Sequence, residues 1–196
     1  MILNILQVGE AVLRQPARPL SVEEIQSPAI QQLIEAMRDT MRYAPGVGLA
    51  APQIGVPLQL AVIEDREETM RDLPPQLLAE RERQPVPFQV IINPRITLSP
   101  DTVEFFEGCL SLERFGAVVP RSRRVVVECL NERAEPQRIA ATGWYARILQ
   151  HETDHLKGYL YTDRMKRRTF MSLDNYNRYW RQASMREVVE AMGEDV

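Results

Sequence analysis

Long apolar runs are missing from this 196-residue chain. No stretch approaches the roughly 20 apolar residues that span a bilayer, so no membrane span is expected. The opening, Met1 to Glu10, has no basic start, and Asn4, Gln7 and Gly9 break its apolar character, which argues against a targeting leader. Cysteine is scarce: only Cys109 and Cys129 are present, too few for a secreted disulfide scaffold, and a reducing, cytoplasmic location is expected. An excess of charge is missing too. The net charge of −3 excludes a strong pull toward nucleic acid or lipid, so neither DNA nor a membrane is an expected partner. Lysine is almost absent, with Lys157 and Lys166 among 24 basic residues, a bias without a functional reading. Histidine is as rare as cysteine, and its two occurrences stand close together.

What remains is ordinary for one globular domain spanning 1–196: 44% hydrophobic and 26% charged residues. Ser27-Pro28 offers a cap and a first-turn proline, followed by Ile30, Leu33, Ile34, Met37 and Met41 at helical spacing. That helix should stop before Pro45-Gly46. A small-residue loop follows, Gly46 to Gly55, then a buried strand from Leu58 to Ile63. Asp65 to Pro87 is polar and proline-rich and reads as a surface insertion with at most a short helix. Phe88 to Ile92, stopped by Asn93-Pro94, then Val103 to Phe106, Ala117 to Val119 and Arg124 to Leu130 read as strands. A helix is expected from about Trp144 to Leu156, ending at Gly158, and an amphipathic one from roughly Asn175 to Met192. The class is α+β.

The two histidines are His151 and His155, with a glutamate directly after the first. In this composition the pattern arises by accident about once in 1000, which makes His151-Glu152-Thr153-Asp154-His155 a strong HExxH signal. On a helix, residues i and i+4 share a face one turn apart, so both imidazoles reach one metal ion. Glu152 lies about 100° round the axis, where it can touch a water beside the ion without being a ligand. A catalytic metal needs a third protein ligand. Tyr161 stands where a third histidine of the longer zincin motif would fall. Glu187 and Glu190 on the last helix are available, and so is Cys109 in Glu107-Gly108-Cys109-Leu110-Ser111. A lone cysteine is as often a small core residue, so the residues alone leave the third ligand open.

Three ordered motifs carry a resemblance. Gly46-Val47-Gly48-Leu49-Ala50-Ala51-Pro52-Gln53, Glu107-Gly108-Cys109-Leu110-Ser111 and His151-Glu152-Thr153-Asp154-His155 match GxGLAAxQ, EGCxS and HExDH of the peptide deformylases, which the chain resembles from near residue 1 to about 170. The resemblance implies small antiparallel or mixed sheets packed around the central HExxH helix, with a variable C-terminal helix over 171–196. It implies that Cys109, His151 and His155 hold the metal, Fe²⁺ by preference, with Zn²⁺, Ni²⁺ or Co²⁺ as substitutes. Glu152 would be general base and then general acid, while the Gln53 side-chain amide and the Leu110 N–H meet the oxyanion. Gly46, Val47 and Gly48 would offer backbone to an extended substrate. The implied reaction removes the formyl group from the initiator methionine of a nascent polypeptide and releases formate. The chain departs from the family in its long, charged 65–87 insertion, and in Gly116, where many relatives carry arginine.

Trp144 and Ile148, seven and three residues before His151, fall on its helical face. They either line an apolar pocket for methionine or belong to the core. The basic stretch Arg164-Lys166-Arg167-Arg168 offers a contact to the ribosome surface, though a solvated charged face is the plainer account. Two rivals stand beside the deformylase reading. One is an HExxH endopeptidase. The other is a closed structural zinc site with Cys129 as fourth ligand.

Overall fold

The computed structural model describes residues 1–194; the last two residues of the 171–196 tail lie outside the described part. In chain order the elements are α1 (Val22–Ile25), α2 (Pro28–Tyr43), β1 (Gly48–Ala50), β2 (Leu60–Asp65), α3 (Pro75–Glu80), β3 (Val86–Leu98), β4 (Thr102–Cys109), β5 (Leu112–Ser122), β6 (Arg124–Leu130), β7 (Pro136–Thr142), α4 (Gly143–Leu156), β8 (Met171–Ser172), α5 (Leu173–Asn175) and α6 (Met185–Ala191), with short 3-10 turns between. The architecture is α+β. One antiparallel sheet has strand order β1-β2-β3-β6-β7 and a smaller one β4-β5-β8. No helix among the described residues is long and apolar enough to cross a membrane.

Helix α2 forms where capping and periodicity agree. Ser27 Oγ accepts from the Ile30 N–H, Pro28 fills the first turn, and Ile34, Met37 and Met41 are buried on one face. That face packs on Leu49, Leu60, Val62 and Ile92 of the larger sheet. The opposite face of the sheet, with Ile63, Ile91 and Val127, meets Ile148, Leu149 and Leu156 of α4 and Phe105 of β4. Helix α4 is therefore enclosed: every residue from Gly143 to Leu156 except Tyr145 is buried. No side chain caps it. Its Trp144 N–H donates instead to the Arg81 carbonyl at 2.8 Å, so the insertion supplies the cap.

Several elements differ from the sequence expectation. Gly48–Ala50 is an edge strand rather than a loop, pairing with β2 on one side only. Strand β3 continues past Asn93-Pro94 through a bulge. Asn93 takes a left-handed φ of 52°, and its side-chain amide exchanges two hydrogen bonds with the Leu20 backbone, standing in for a missing strand partner. Strand β7 was not anticipated. The C-terminal helix is broken: a five-residue π turn, Tyr176–Trp180, precedes α6, which starts afresh at the Ser184–Glu187 capping box. This tail packs Tyr176, Met185, Val188 and Val189 on Phe106 and Val118 of the smaller sheet, with Tyr176 stacked on Phe106 at 3.6 Å between centroids. The packing accounts for Gly116. A Cβ there would strike the Phe106 ring and the Glu107 carbonyl, so the arginine of many relatives has no room.

The 65–87 segment lies on the surface and carries the short α3, but its ends are locked. Arg83 donates to both oxygens of the fully buried Asp65, at 2.8 Å each.

Candidate metal centre

Strand β4 ends at Cys109, and the HExxH helix brings His151 and His155 beneath it. The Sγ and the two ring nitrogens lie within 4.8 Å of one another. His155 Nε2 is 3.3 Å from Cys109 Sγ and 3.2 Å from His151 Nε2. Cys129, Glu187 and Glu190 are not in this cluster. Cys129 is in β6 of the other sheet, Glu187 caps its own helix, and Glu190 pairs with Arg186.

The orientation of His151 has a cause. Its Nδ1 lies 2.9 Å from Glu107 Oε2, and a carboxylate only accepts, so Nδ1 carries the proton and Nε2 keeps its lone pair for an ion. Glu107 is fully buried and clamped by Arg121, which donates at 2.8 and 2.9 Å and also reaches Asp154 at 2.6 Å. Burial opposes ionisation of Glu107, yet the guanidinium groups of Arg121 and Arg147 hold its carboxyl well below the usual range. Arg164 closes the chain of charges on Asp154 at 2.7 and 2.8 Å. Sequence reasoning treated Glu107 as a motif letter and did not see Arg121, Asp154 or Ser111. The pairing of a histidine ligand with an outer carboxylate is the signal that would have found Glu107.

The donor set suits a divalent ion. Burial pushes both imidazoles down, so they are neutral ligands at pH 7. Burial, helped by the nearby Glu152 and Glu107 carboxylates, drives the Cys109 thiol up to about 12, and an adjacent divalent cation is what turns such a sulfur into a thiolate. Glu152 sits beside the cluster, lifted by burial to about 8, with Oε2 free of any hydrogen bond among the described residues. A Cβ at Gly48 would fall onto the Glu152 carboxyl.

A cavity of about 320 Å³ opens in front of these groups, bordered by Gly46, Val47, Gly48, Gln53, Cys109, Leu110, His151 and Glu152. The Gln53 carbonyl accepts the Ala50 N–H at 2.9 Å, which turns its Nε2 toward Ser111 Oγ (3.2 Å) and Cys109 Sγ (3.5 Å). The Leu110 turn is pinned from behind, where Gln7 Nε2 donates to its carbonyl at 2.9 Å. Trp144 and Ile148 lie elsewhere. Both are buried in the core, Trp144 edge-on to Phe105, and neither borders the cavity. On their helical face Arg147 and His151 border it.

Fold and site together define an α+β domain with a candidate metal site in which an HExxH helix meets a cysteine from a β-hairpin. The sequence model of the family described as polypeptide deformylase matches residues 2–171, and the chain belongs to the peptide deformylase family. It is 46% identical to "Peptide deformylase 1A, chloroplastic" of Solanum lycopersicum over 88% of this chain and 62% of that protein. It is 42% identical to "Peptide deformylase 3" of Streptomyces avermitilis over 97% and 84%. The chain therefore spans less than two thirds of the tomato relative's length. Among solved structures, the Met-Ala-Ser-bound peptide deformylase of Acinetobacter baumannii superposes with a TM-score of 0.75 at 32% identity, covering 84% of this chain and 99% of that one.

Proposed function

We propose that this chain removes the formyl group from the N-terminal methionine of nascent polypeptides and releases formate. The observation that carries the reading is the meeting of Cys109, His151 and His155 beside a buried Glu152, whose Oε2 has no hydrogen-bond partner among the described residues, at a cavity flanked by an open strand edge. A divalent ion on those three residues, Fe²⁺ with Zn²⁺, Ni²⁺ or Co²⁺ as substitutes, supplies Lewis acidity and lowers the pKa of water toward about 7. Glu152 takes the proton from the attacking water and delivers it to the leaving amine. Its lifted affinity for protons suits both tasks near neutral pH. Gln53 Nε2 and the Leu110 N–H stand ready as donors to the oxyanion, each worth about 2.7–4 kcal/mol in such sites. The free edge of β1, with Gly46 and Val47 before it, receives the extended peptide by backbone pairing.

The peptide bound in the Acinetobacter structure supports a short N-terminal methionyl peptide as occupant of this kind of site. The cytoplasm as compartment rests on the two free thiols, while the tomato and human relatives are named chloroplastic and mitochondrial. In the basic stretch expected to touch the ribosome, Arg164 is committed to Asp154 and Lys166 to Glu104.

The test compares formyl-Met and acetyl-Met peptides after anaerobic purification. Formyl carries only hydrogen on its carbon, so a close-fitting site accepts it and excludes acetyl by clash. The expected gap in kcat/KM exceeds the 10–200-fold that one methylene is worth in a loose pocket. Comparable rates, or cleavage of internal bonds in casein, would sink the reading.

A further inference from the structure

Residues 6–8 fasten the turn behind the metal cluster. The Leu6 N–H donates to the Gln53 carbonyl and the Val8 N–H to the Ser111 carbonyl, each at 2.8 Å. Between them Gln7 reaches across with its side chain. Its Nε2 donates to the Leu110 carbonyl at 2.9 Å, and its Oε1 accepts the Glu113 N–H at 3.4 Å. These two contacts fix which end of the amide faces Leu110, because a carbonyl oxygen only accepts. The Leu110 carbonyl and the Ser111 N–H are the two ends of one planar peptide group. The far end of that group donates to Cys109 Sγ at 3.4 Å. A continuous chain of hydrogen bonds therefore runs from Gln7, through the 110–111 peptide, to the sulfur. Gln7 is exposed, whereas Ser111 is fully buried. The other side-chain donor near the sulfur, Gln53 Nε2 at 3.5 Å, serves the oxyanion in the proposed mechanism, which leaves the Ser111 N–H to the sulfur.

We propose that Gln7 is a positioning residue that acts through the 110–111 peptide: it strengthens the hydrogen bond on Cys109 Sγ and so tunes the sulfur as a metal ligand. The inference rests on the reading of Cys109, His151 and His155 as the ligands. An N–H on a thiolate draws electron density from the sulfur and fixes its direction. Removing such an outer partner typically costs about 10–100-fold in metal affinity. A donor on the carbonyl end of a peptide polarises it and makes its N–H the stronger donor, by roughly 10–30% per bond. The same contact holds the peptide plane against a rotation that would swing the Ser111 N–H away from the sulfur. His151 takes its outer support from the buried Glu107, and Cys109 takes its own from an exposed amide.

The experiment needs no substrate. Metal-free protein is loaded with Co²⁺, and two quantities are read: the energy of the sulfur-to-cobalt charge-transfer band, and the Co²⁺ affinity in competition with a chelator. Gln7→Met keeps the length of the side chain and removes the donor. Its band should move to lower energy, and its affinity should fall about tenfold, the lower end of the range for outer partners. Gln7→Ala should repeat both changes. Gln7→Lys gives the carbonyl a donor again and should bring both quantities back toward wild type. Because Gln7 is exposed, all three metal-free variants should melt with the wild type. A band and an affinity unchanged in Gln7→Met, or equal changes in Gln7→Met and Gln7→Lys, overturn the proposal. No sulfur-to-cobalt band in the wild-type protein overturns Cys109 as a ligand, and the proposal with it. Formate release is measured apart, so a failure of the deformylase reading is distinguishable from a failure of this one.

Discussion

Cys109 and Cys129 have the same chemistry and opposite surroundings. Cys109 closes β4 against the two histidines, with the Ser111 N–H aimed at its sulfur at 3.4 Å. Cys129 is a buried member of the core beside Val127 and Ala141. Cys109→Ala removes one of three ligands and should abolish metal binding and formate release together. Cys129→Ala deletes one buried sulfur and should cost about 1 kcal/mol of stability while leaving metal content and rate intact. Metal analysis and a thermal melt on both variants check the pair. At this scale the sequence was informative about identity and silent about support. Spacing alone exposed His151, Glu152 and His155, and the motif order added Cys109. The acceptor of His151 and the Arg121 clamp behind it depend on contacts between residues 14 to 44 positions apart, which no local pattern encodes.

Strand β1 and the 65–87 insertion carry the element-scale consequences. Gly48 faces Glu152 so closely that a methyl group at its Cα displaces the carboxyl, and the obstacle is a flexible side chain, not backbone. Gly48→Ala should therefore fold normally, retain its metal, and lose kcat by about 10-fold or more through a misplaced proton carrier. Full activity in a folded, metal-loaded Gly48→Ala enzyme would contradict the placement of Glu152. The insertion is fastened by Asp65 and Arg83, whose side chains are 0% and 8% exposed, and the Arg83 guanidinium lies 4.7 Å from the Trp144 ring centroid. Asp65→Ala leaves that cation buried and unpaired, a loss of about 3–5 kcal/mol. For a chain of this length the melting temperature should drop by roughly 10 °C, read by calorimetry. Helices α2 and α4 were readable from the sequence because capping, periodicity and burial agree in them. Strand β7 was not: Pro136 opens it, two alanines sit inside it, and most of its side chains are exposed or half-buried, so no apolar alternation marks it. The break near Ser184 hides because helical spacing resumes on the same apolar face after the turn.

The whole molecule gathers Gly46, Gly48, Gln53, Cys109, Leu110, His151 and Glu152 around one cavity, with a sheet on one side of α4 and the β4–β5 hairpin on the other. Burial does two things there at once: it keeps both imidazoles neutral for an ion and lifts Glu152 into the range of a proton carrier. In the proposed mechanism, holding the metal falls to Cys109, His151 and His155, and moving the proton falls to Glu152. Glu152→Gln keeps the shape and the hydrogen-bonding capacity but cannot accept a proton. The most direct measurement is kcat for formate release together with metal content in Glu152→Gln and His151→Ala. In Glu152→Gln the metal should stay at the wild-type level while kcat falls at least 10²–10⁴-fold, the usual worth of general acid–base catalysis. His151→Ala should lose metal and rate together. A Glu152→Gln enzyme that keeps its rate, or one that loses its metal, would contradict the mechanism.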